Sequence, residues 1–146
     1  MFTVKKIFMA LIFLFAFTLV STVHAESWRF ATVNAYGAWY IDSDSLMIEK
    51  DADEFIFYTL VKQELSAKSR ENARNPNLNY KIFREEFKIH EGVKYFRVGA
   101  TTNYTFDGKS YADPVDTFDW DIISAGSVAE YLYNTAYRFL ERDYMK

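Results

Sequence analysis

The chain has 146 residues, 19% of them aromatic, and it carries a formal charge of −3 with no cysteine. Without cysteine we expect no disulfide, no cysteine-ligated metal and no lipoprotein anchor, and the negative charge argues against a nucleic-acid partner. The fold must then be held by packing alone, around a core rich in large rings.

The first 25 residues have the pattern of a secretory signal peptide. Lys5 and Lys6 form a positive start, and a largely apolar run covers residues 7–20. This run is shorter than the roughly 20 residues that a membrane-spanning helix needs. Val23 and Ala25 supply the small residues that signal peptidase accepts, so the pattern predicts export rather than a permanent membrane helix.

Cleavage is expected between Ala25 and Glu26. It would remove two of the 17 basic residues and none of the 20 acidic ones, which leaves a formal charge of −5. Residues 26–146 fit a single domain that is long enough to bury a core. We expect this domain in the periplasm, in the medium or at the cell surface, without a lipid anchor.

Two short strands open the predicted domain as a hairpin. Residues 28–33 and 38–41 are β-prone and flank a turn-forming segment. The polar run 42–45 follows, and its side chains compete for backbone amides. We expect this run to form a helical turn that directs Leu46 and Met47 into the core.

A central strand and a long loop come next. Residues 55–61 are apolar on both alternating faces, which indicates a strand with both sides covered. Residues 66–79 contain few apolar side chains and many charged or amide ones. They therefore predict a long exposed loop.

A long hairpin is predicted from residues 80–89 and 93–104, joined by a turn that begins at His90. Alternate residues from 96 to 104 fall on one face of the second strand. In the first strand the apolar side chains change parity near residues 82–83. This change indicates a bulge or a twist there.

One helix is predicted at the carboxyl end of the chain. Ser127 and Glu130 have the spacing of a capping box, in which both side chains satisfy amides at a helix start. A single apolar stripe follows, formed by Val128, Leu132, Thr135, Ala136, Phe139 and Leu140. The sequence predicts an α+β fold, with five or six antiparallel strands and this helix packed on one face.

A set of residues in order along the chain resembles the surface-adhesin protein E-like family, small exported α+β domains of Gram-negative bacteria. The residues are Trp28, Trp39-Tyr40-Ile41-Asp42, Ser45-Leu46, Lys94-Tyr95, Arg97, Tyr104, Asp107-Gly108-Lys109, Trp120, Ile122, Gly126-Ser127, Glu130 and Leu132-Tyr133. The resemblance implies a domain that adheres to host or extracellular macromolecules. Many relatives carry a cysteine pair near positions equivalent to His90 and Tyr137, and this chain has neither cysteine.

Three basic residues of the predicted loop are candidates for binding. Lys68, Arg70 and Arg74 lie close together on an acidic protein. Such a cluster can bind an acidic glycan or another extracellular matrix component, and the alternative is an ordinary solvated connection.

Three aromatic residues of the first hairpin are further candidates. Tyr36, Trp39 and Tyr40 form an exposed binding surface if their rings lie on the sheet face opposite the helix. The alternative is that they belong to the core.

An acidic run and a single histidine complete the candidates. Asp113, Asp116, Asp119 and Asp121 could bind a cation or act as acid and base in a hydrolase, and the alternative is that they face water beside core rings. His90 has no second histidine to complete a metal or haem site after cleavage. We expect no metal and no cofactor.

The sequence therefore favours an exported, non-enzymatic domain that binds a macromolecule through its sheet face and the 66–79 segment. A soluble periplasmic protein with a structural or stress-related role is the alternative, and a hydrolase is a distant third. The apolar side chains of Phe139, Leu140, Tyr144 and Met145 either pack on the sheet or form a homodimer.

Overall fold

A computed structural model describes residues 27–51, 54–114 and 118–145. The predicted signal peptide and its cleavage site at Ala25 and Glu26 lie outside the described residues, as does Asp116 of the acidic run. Within the described ranges, no helix is both long and apolar enough to cross a membrane.

The described chain forms one antiparallel sheet and a long C-terminal helix. The strands are β1 (Trp28–Asn34), β2 (Gly37–Asp42), β3 (Met47–Asp51), β4 (Glu54–Leu65), β5 (Leu78–His90), β6 (Val93–Thr105), β7 (Ser110–Ala112) and β8 (Asp121–Ile122), and the helices are α1 (Ala67–Asn72) and α2 (Val128–Tyr144). Six strands run in the order β1-β2-β4-β5-β6-β7, while β3 pairs with β4 and β8 pairs with β6. The predicted α+β fold is confirmed, and β3 and β8 add two short strands to the main sheet.

The core lies between α2 and one face of the sheet. Phe57 and Phe87 pair across β4 and β5, their ring centroids are 5.2 Å apart, and both side chains are fully buried. From the helix, Leu132, Ala136 and Leu140 pack against this layer. Each fully buried Phe or Leu contributes about 1.5–3 kcal/mol, so the apolar stripe of α2 is what fixes the helix on this face.

The start of α2 is capped as the sequence predicts. The Ser127 hydroxyl accepts a hydrogen bond from the Glu130 amide at 3.2 Å, and the Glu130 carboxylate accepts one from the Gly126 amide at 2.6 Å. Two amides at the helix start are thereby satisfied.

The prediction of a loop across residues 66–79 is wrong for residues 67–72 and 78–79, which form α1 and the start of β5, whereas residues 73–77 are an irregular connection. Ser66 caps α1 by accepting a hydrogen bond from the Ser69 amide, and Leu78 is buried as the first residue of β5. No residue of α1 is buried, so this short helix has no apolar stripe by which its sequence could reveal it.

The predicted helical turn is present as a 3-10 turn at Ser43–Ser45, and Leu46 follows it into the core. Met47 does not, because it begins β3 and its side chain is 54% exposed. Successive strand residues point to opposite faces, so only one of the two can be buried here.

The long hairpin has two irregularities: an extra residue in β5 between Leu78 and Tyr80, and, near the predicted position, an extra residue in β6 rather than in β5. Phe83 pairs with Thr101 and Glu85 pairs with Val98, so two steps along β5 match three steps along β6. The extra residue in β6 breaks the predicted single alternation from 96 to 104, because Val98 and Thr101 both face the helix side.

Candidate binding site

Four cations lie on the sheet face opposite α2, and we call this set the basic face: Lys62, Arg84, Lys88 and Arg97. In β5 the core residues Phe83 and Phe87 point to the helix, so the alternating Arg84 and Lys88 point away from it. Lys62 pairs with Ile82 on that same side of the sheet. The strand period alone therefore gathers these charges on one surface.

Each cation of the basic face lies against an aromatic ring. The Arg84 guanidinium is 3.8 Å from the Tyr58 ring centroid, and the Arg97 guanidinium is 4.5 Å from that of Trp120. Lys88 Nζ is 4.7 Å from the same Trp120 ring. These distances are within the range of cation–π attraction, so the rings hold the charged groups in place.

A buried carboxylate links two of the cations. Glu86 is 6% exposed, it contacts Arg84 Nη2 at 2.6 Å through Oε1, and it accepts a hydrogen bond from Arg97 Nε through Oε2. One negative charge thus meets two positive ones, which leaves a net positive charge. Arg84 Nε is buried without a hydrogen-bond partner among the described residues.

The other two cations have weaker acidic partners. Lys88 Nζ lies 3.5 Å from a carboxylate oxygen of Glu54, and Lys62 Nζ lies 3.1 Å from one of Glu64. The Glu64 side chain is half exposed, so water screens that attraction.

A groove of about 510 Å³ lies beside the basic face at the edge of β6, and we call it the Trp120 groove. It is lined by Phe96, Arg97, Val98, Phe118, Asp119, Trp120 and Asp121. Phe118 is 53% exposed, and both aspartates are exposed as well. The groove therefore combines aromatic surface with a guanidinium donor and two carboxylate acceptors, the mixture that small-molecule and sugar sites require.

The three predicted basic residues have different contacts. Lys68 Nζ lies 4.8 Å from the Tyr36 ring centroid, whereas Arg70 Nη1 donates a hydrogen bond to the Leu65 carbonyl at 2.6 Å. Arg74 is exposed after α1 with a positive φ of 53°. Arg70 thus has a structural contact with the backbone. Lys68 and Arg74 are the better candidates for binding a partner.

The predicted aromatic surface is divided by the sheet. Trp39 is 7% exposed and belongs to the core on the helix side, so it is not part of an exposed surface. Tyr40 lies on the opposite side, where Lys62 Nζ is 4.9 Å from its ring centroid. Tyr36 is exposed in the turn between β1 and β2.

The acidic run does not converge on a metal site among the described residues. Asp113 accepts a hydrogen bond from Asn103 Nδ2 at 2.6 Å, and Asp121 accepts one from the Ile122 amide at 2.8 Å. His90 Nδ1 lies 3.4 Å from a carboxylate oxygen of Glu54 at the surface. These groups are used in local polar contacts.

The C-terminal apolar residues have different environments. Leu140 is fully buried in the core, whereas Tyr144 and Met145 are exposed. The Tyr144 hydroxyl still donates a hydrogen bond to the Leu46 carbonyl at 3.2 Å. Leu140 therefore packs on the sheet, one of the two predicted alternatives. A homodimer formed through Tyr144 and Met145 remains a prediction.

Sequence reasoning missed the Arg84, Glu86 and Arg97 network, and it also missed the buried Glu85. The sequence contained a signal for both features, because Phe83 and Phe87 are an even number of residues apart in β5 and so face the same side of the sheet. That parity places Glu85 on the core side with the two rings and places Arg84 and Glu86 on the other side.

Comparison of the chain with family models, curated proteins and solved structures finds no match.

Proposed function

We propose that the protein is an exported, non-enzymatic domain that binds an acidic glycan through the basic face and the Trp120 groove. The observation that carries this proposal is the arrangement at Arg97. Its guanidinium contacts the Trp120 ring, shares Glu86 with Arg84 and lines a groove with two exposed carboxylates.

The chemistry of these groups suits a sugar acid. Exposed rings such as Phe118 offer a flat apolar surface to a sugar ring, and the carboxylates of Asp119 and Asp121 accept hydrogen bonds from hydroxyl groups. Arg97 and Lys88 supply positive charge for a sulfate or uronate group. An adhesive role of the surface-adhesin protein E-like kind agrees with this chemistry, as does binding to extracellular matrix.

The proposal is tested with heparin as the sulfated glycan and with two double variants. Lys88→Gln with Arg97→Gln removes two charges from the basic face, and Lys68→Gln with Arg74→Gln removes two charges near α1. At low salt we expect the first pair to weaken heparin binding about tenfold and the second pair to have a much smaller effect. Equal losses would show a general effect of net charge and would contradict a specific site.

A ring variant separates stacking from charge. Trp120→Leu keeps both cations and removes the indole from the groove. We expect this variant to bind heparin more weakly than the parent at both low and high salt. Salt screens the attraction between charges and leaves contact with rings largely unchanged. Equal heparin affinity of the parent and Trp120→Leu at high salt would show that the groove is not part of the binding site. Unfolding curves of each variant check that the domain is intact.

Cell fractionation addresses the alternative of a soluble periplasmic protein with a structural or stress-related role. An adhesive domain must be found at the cell surface or in the medium. Recovery of the protein in the periplasm alone would favour the alternative.

A second candidate function, hydrolysis of a glycan, is favoured by one observation: Asp119 and Asp121 line the same groove. Two carboxyl groups are what a glycosidase uses as acid and base or nucleophile. Release of reducing ends from a bound glycan, lost in the Asp119→Asn and Asp121→Asn double variant, would support this candidate. Intact glycan after prolonged incubation would leave binding as the function.

A further inference from the structure

A second pocket lies on the other side of the sheet, between α2 and the strands. Its volume is about 330 Å³, and it is lined by residues of β2, β5, β6 and the first turn of α2. Its apolar wall includes Trp39, Phe83, Phe96 and Leu132. A volume of this size is at the lower end of the roughly 300–1,000 Å³ found for small-molecule sites.

One acidic side chain lines this apolar pocket. Glu85 is 2% exposed, and no hydrogen bond or ion pair reaches its carboxyl group from the described residues. Burial raises the pKa of Glu85 to about 8, so this carboxyl is mostly protonated at neutral pH. A protonated carboxyl offers an O–H donor, and leaving it unused in an apolar site is costly.

The first turn of α2 is at the same pocket. Ser127, Val128 and Ala129 line it, and helix geometry leaves the amides of Val128 and Ala129 without an intrahelical acceptor. The amino end of a helix of this length also carries a positive partial charge. The protonated carboxyl group of Glu85 and the amides at the helix start are therefore hydrogen-bond donors, and both suit an acceptor group with negative charge.

We propose that this pocket binds a small monocarboxylic acid with an apolar tail, whose carboxylate shares the proton of Glu85 and faces the first turn of α2. Two carboxyl groups in contact cannot both ionise, so one proton held between them keeps the pair at a single negative charge. The helix end offsets that charge, and the rings surround the tail. An amine would instead bring a positive charge to the positive end of a helix.

Octanoate and octylamine are suitable probes because they have the same tail and opposite charges. Titration calorimetry with the full chain should show saturable binding of octanoate and much weaker binding of octylamine. Glu85→Met, which removes the O–H donor and keeps a side chain of similar length, should weaken octanoate about tenfold, which corresponds to about 1.4 kcal/mol. Glu71→Met, at an exposed carboxyl group of α1, is the matched control and should leave octanoate affinity unchanged.

A pocket-filling variant and the pH dependence locate the site. Ala129→Leu places extra atoms in the pocket and should abolish binding, while its circular dichroism shows that the domain is folded. Because Glu85 is the one titratable group among the described lining residues, octanoate affinity should fall about tenfold from about pH 7 to about pH 9.

Three outcomes would overturn the proposal. They are no saturable octanoate binding, equal octanoate affinity in the parent and Glu85→Met, and a preference for octylamine. Should Ala129→Leu fail to fold, Glu85→Met still decides, because it removes the carboxyl group and keeps a side chain of similar size in the pocket.

Discussion

Glu85 and Glu86 are neighbours in β5, yet the sheet gives them opposite environments. Glu85 lies under α2 among apolar side chains, with no polar partner in the part of the chain that the structure describes, and Glu86 lies on the basic face between two guanidinium groups. Both side chains are buried. The difference shows that burial by itself does not set the chemistry of a carboxyl group, because the neighbouring charges decide whether its ionised form is tolerated.

The largest expected effect concerns the pH dependence of stability on the Glu85 side. The pKa of Glu85 is about 8 in the folded state against an ordinary value of 4.5, so between these values the folded protein holds a proton that the unfolded chain has released. Stability from this group is fully present below about pH 4.5 and is lost as the pH rises through about 8.

We expect the parent to lose about 3–5 kcal/mol over this interval relative to Glu85→Gln, at about 1.4 kcal/mol per pH unit. Urea unfolding of both proteins at about pH 5, 7 and 9 measures the difference between their free energies of unfolding. Titrations that the two proteins share cancel in this difference. Parallel stability curves would show that Glu85 is ionised in the folded protein.

The next prediction compares the stability cost of a Leu to Ala substitution on the two faces of the sheet. Leu132→Ala removes a buried side chain of α2 and should cost about 2–5 kcal/mol. Leu60→Ala lies on the opposite face at a position that is 37% exposed, and it should cost less than about 1 kcal/mol. Chemical denaturation measures both, and similar costs would mean that α2 does not form the core described here.

A smaller effect is expected for Glu86. Glu86→Gln removes the negative charge between Arg84 and Arg97, and breaking a buried ion pair costs about 3–5 kcal/mol. Both arginine side chains are about a third exposed or more, so water compensates part of the loss and we expect about 1–2 kcal/mol. Glu64→Gln, at a half-exposed pair, is the control and should change the free energy of unfolding very little.

The smallest effect concerns the cap next to the Glu85 pocket. Ser127→Ala leaves the Glu130 amide without its acceptor and should cost about 1 kcal/mol. Ser124→Ala, at a nearby exposed position, serves as the control in the same thermal unfolding experiment. A stability equal to that of the control would show that the cap contributes nothing.

Local patterns determined most of the fold. The first hairpin, the central strand, the long hairpin and the capped helix each carry a signal within a short window, namely alternation, turn residues or helical spacing. The same patterns placed Leu132 and Phe139 on one stripe of α2, and both pack on the core as expected. Short α1 escaped this reasoning because an exposed helix of six residues needs no apolar stripe.

Only the tertiary structure decided which side chains meet. Local sequence patterns assign Glu85, Trp39 and Val128 to separate elements. The pocket forms because α2 crosses strands that are distant in the chain. The Arg97 and Trp120 contact depends likewise on long-range pairing, because β8, which follows Trp120, pairs with β6. Alternation fixes the side of a strand that a residue occupies, whereas its partners, and with them its charge state, depend on long-range packing.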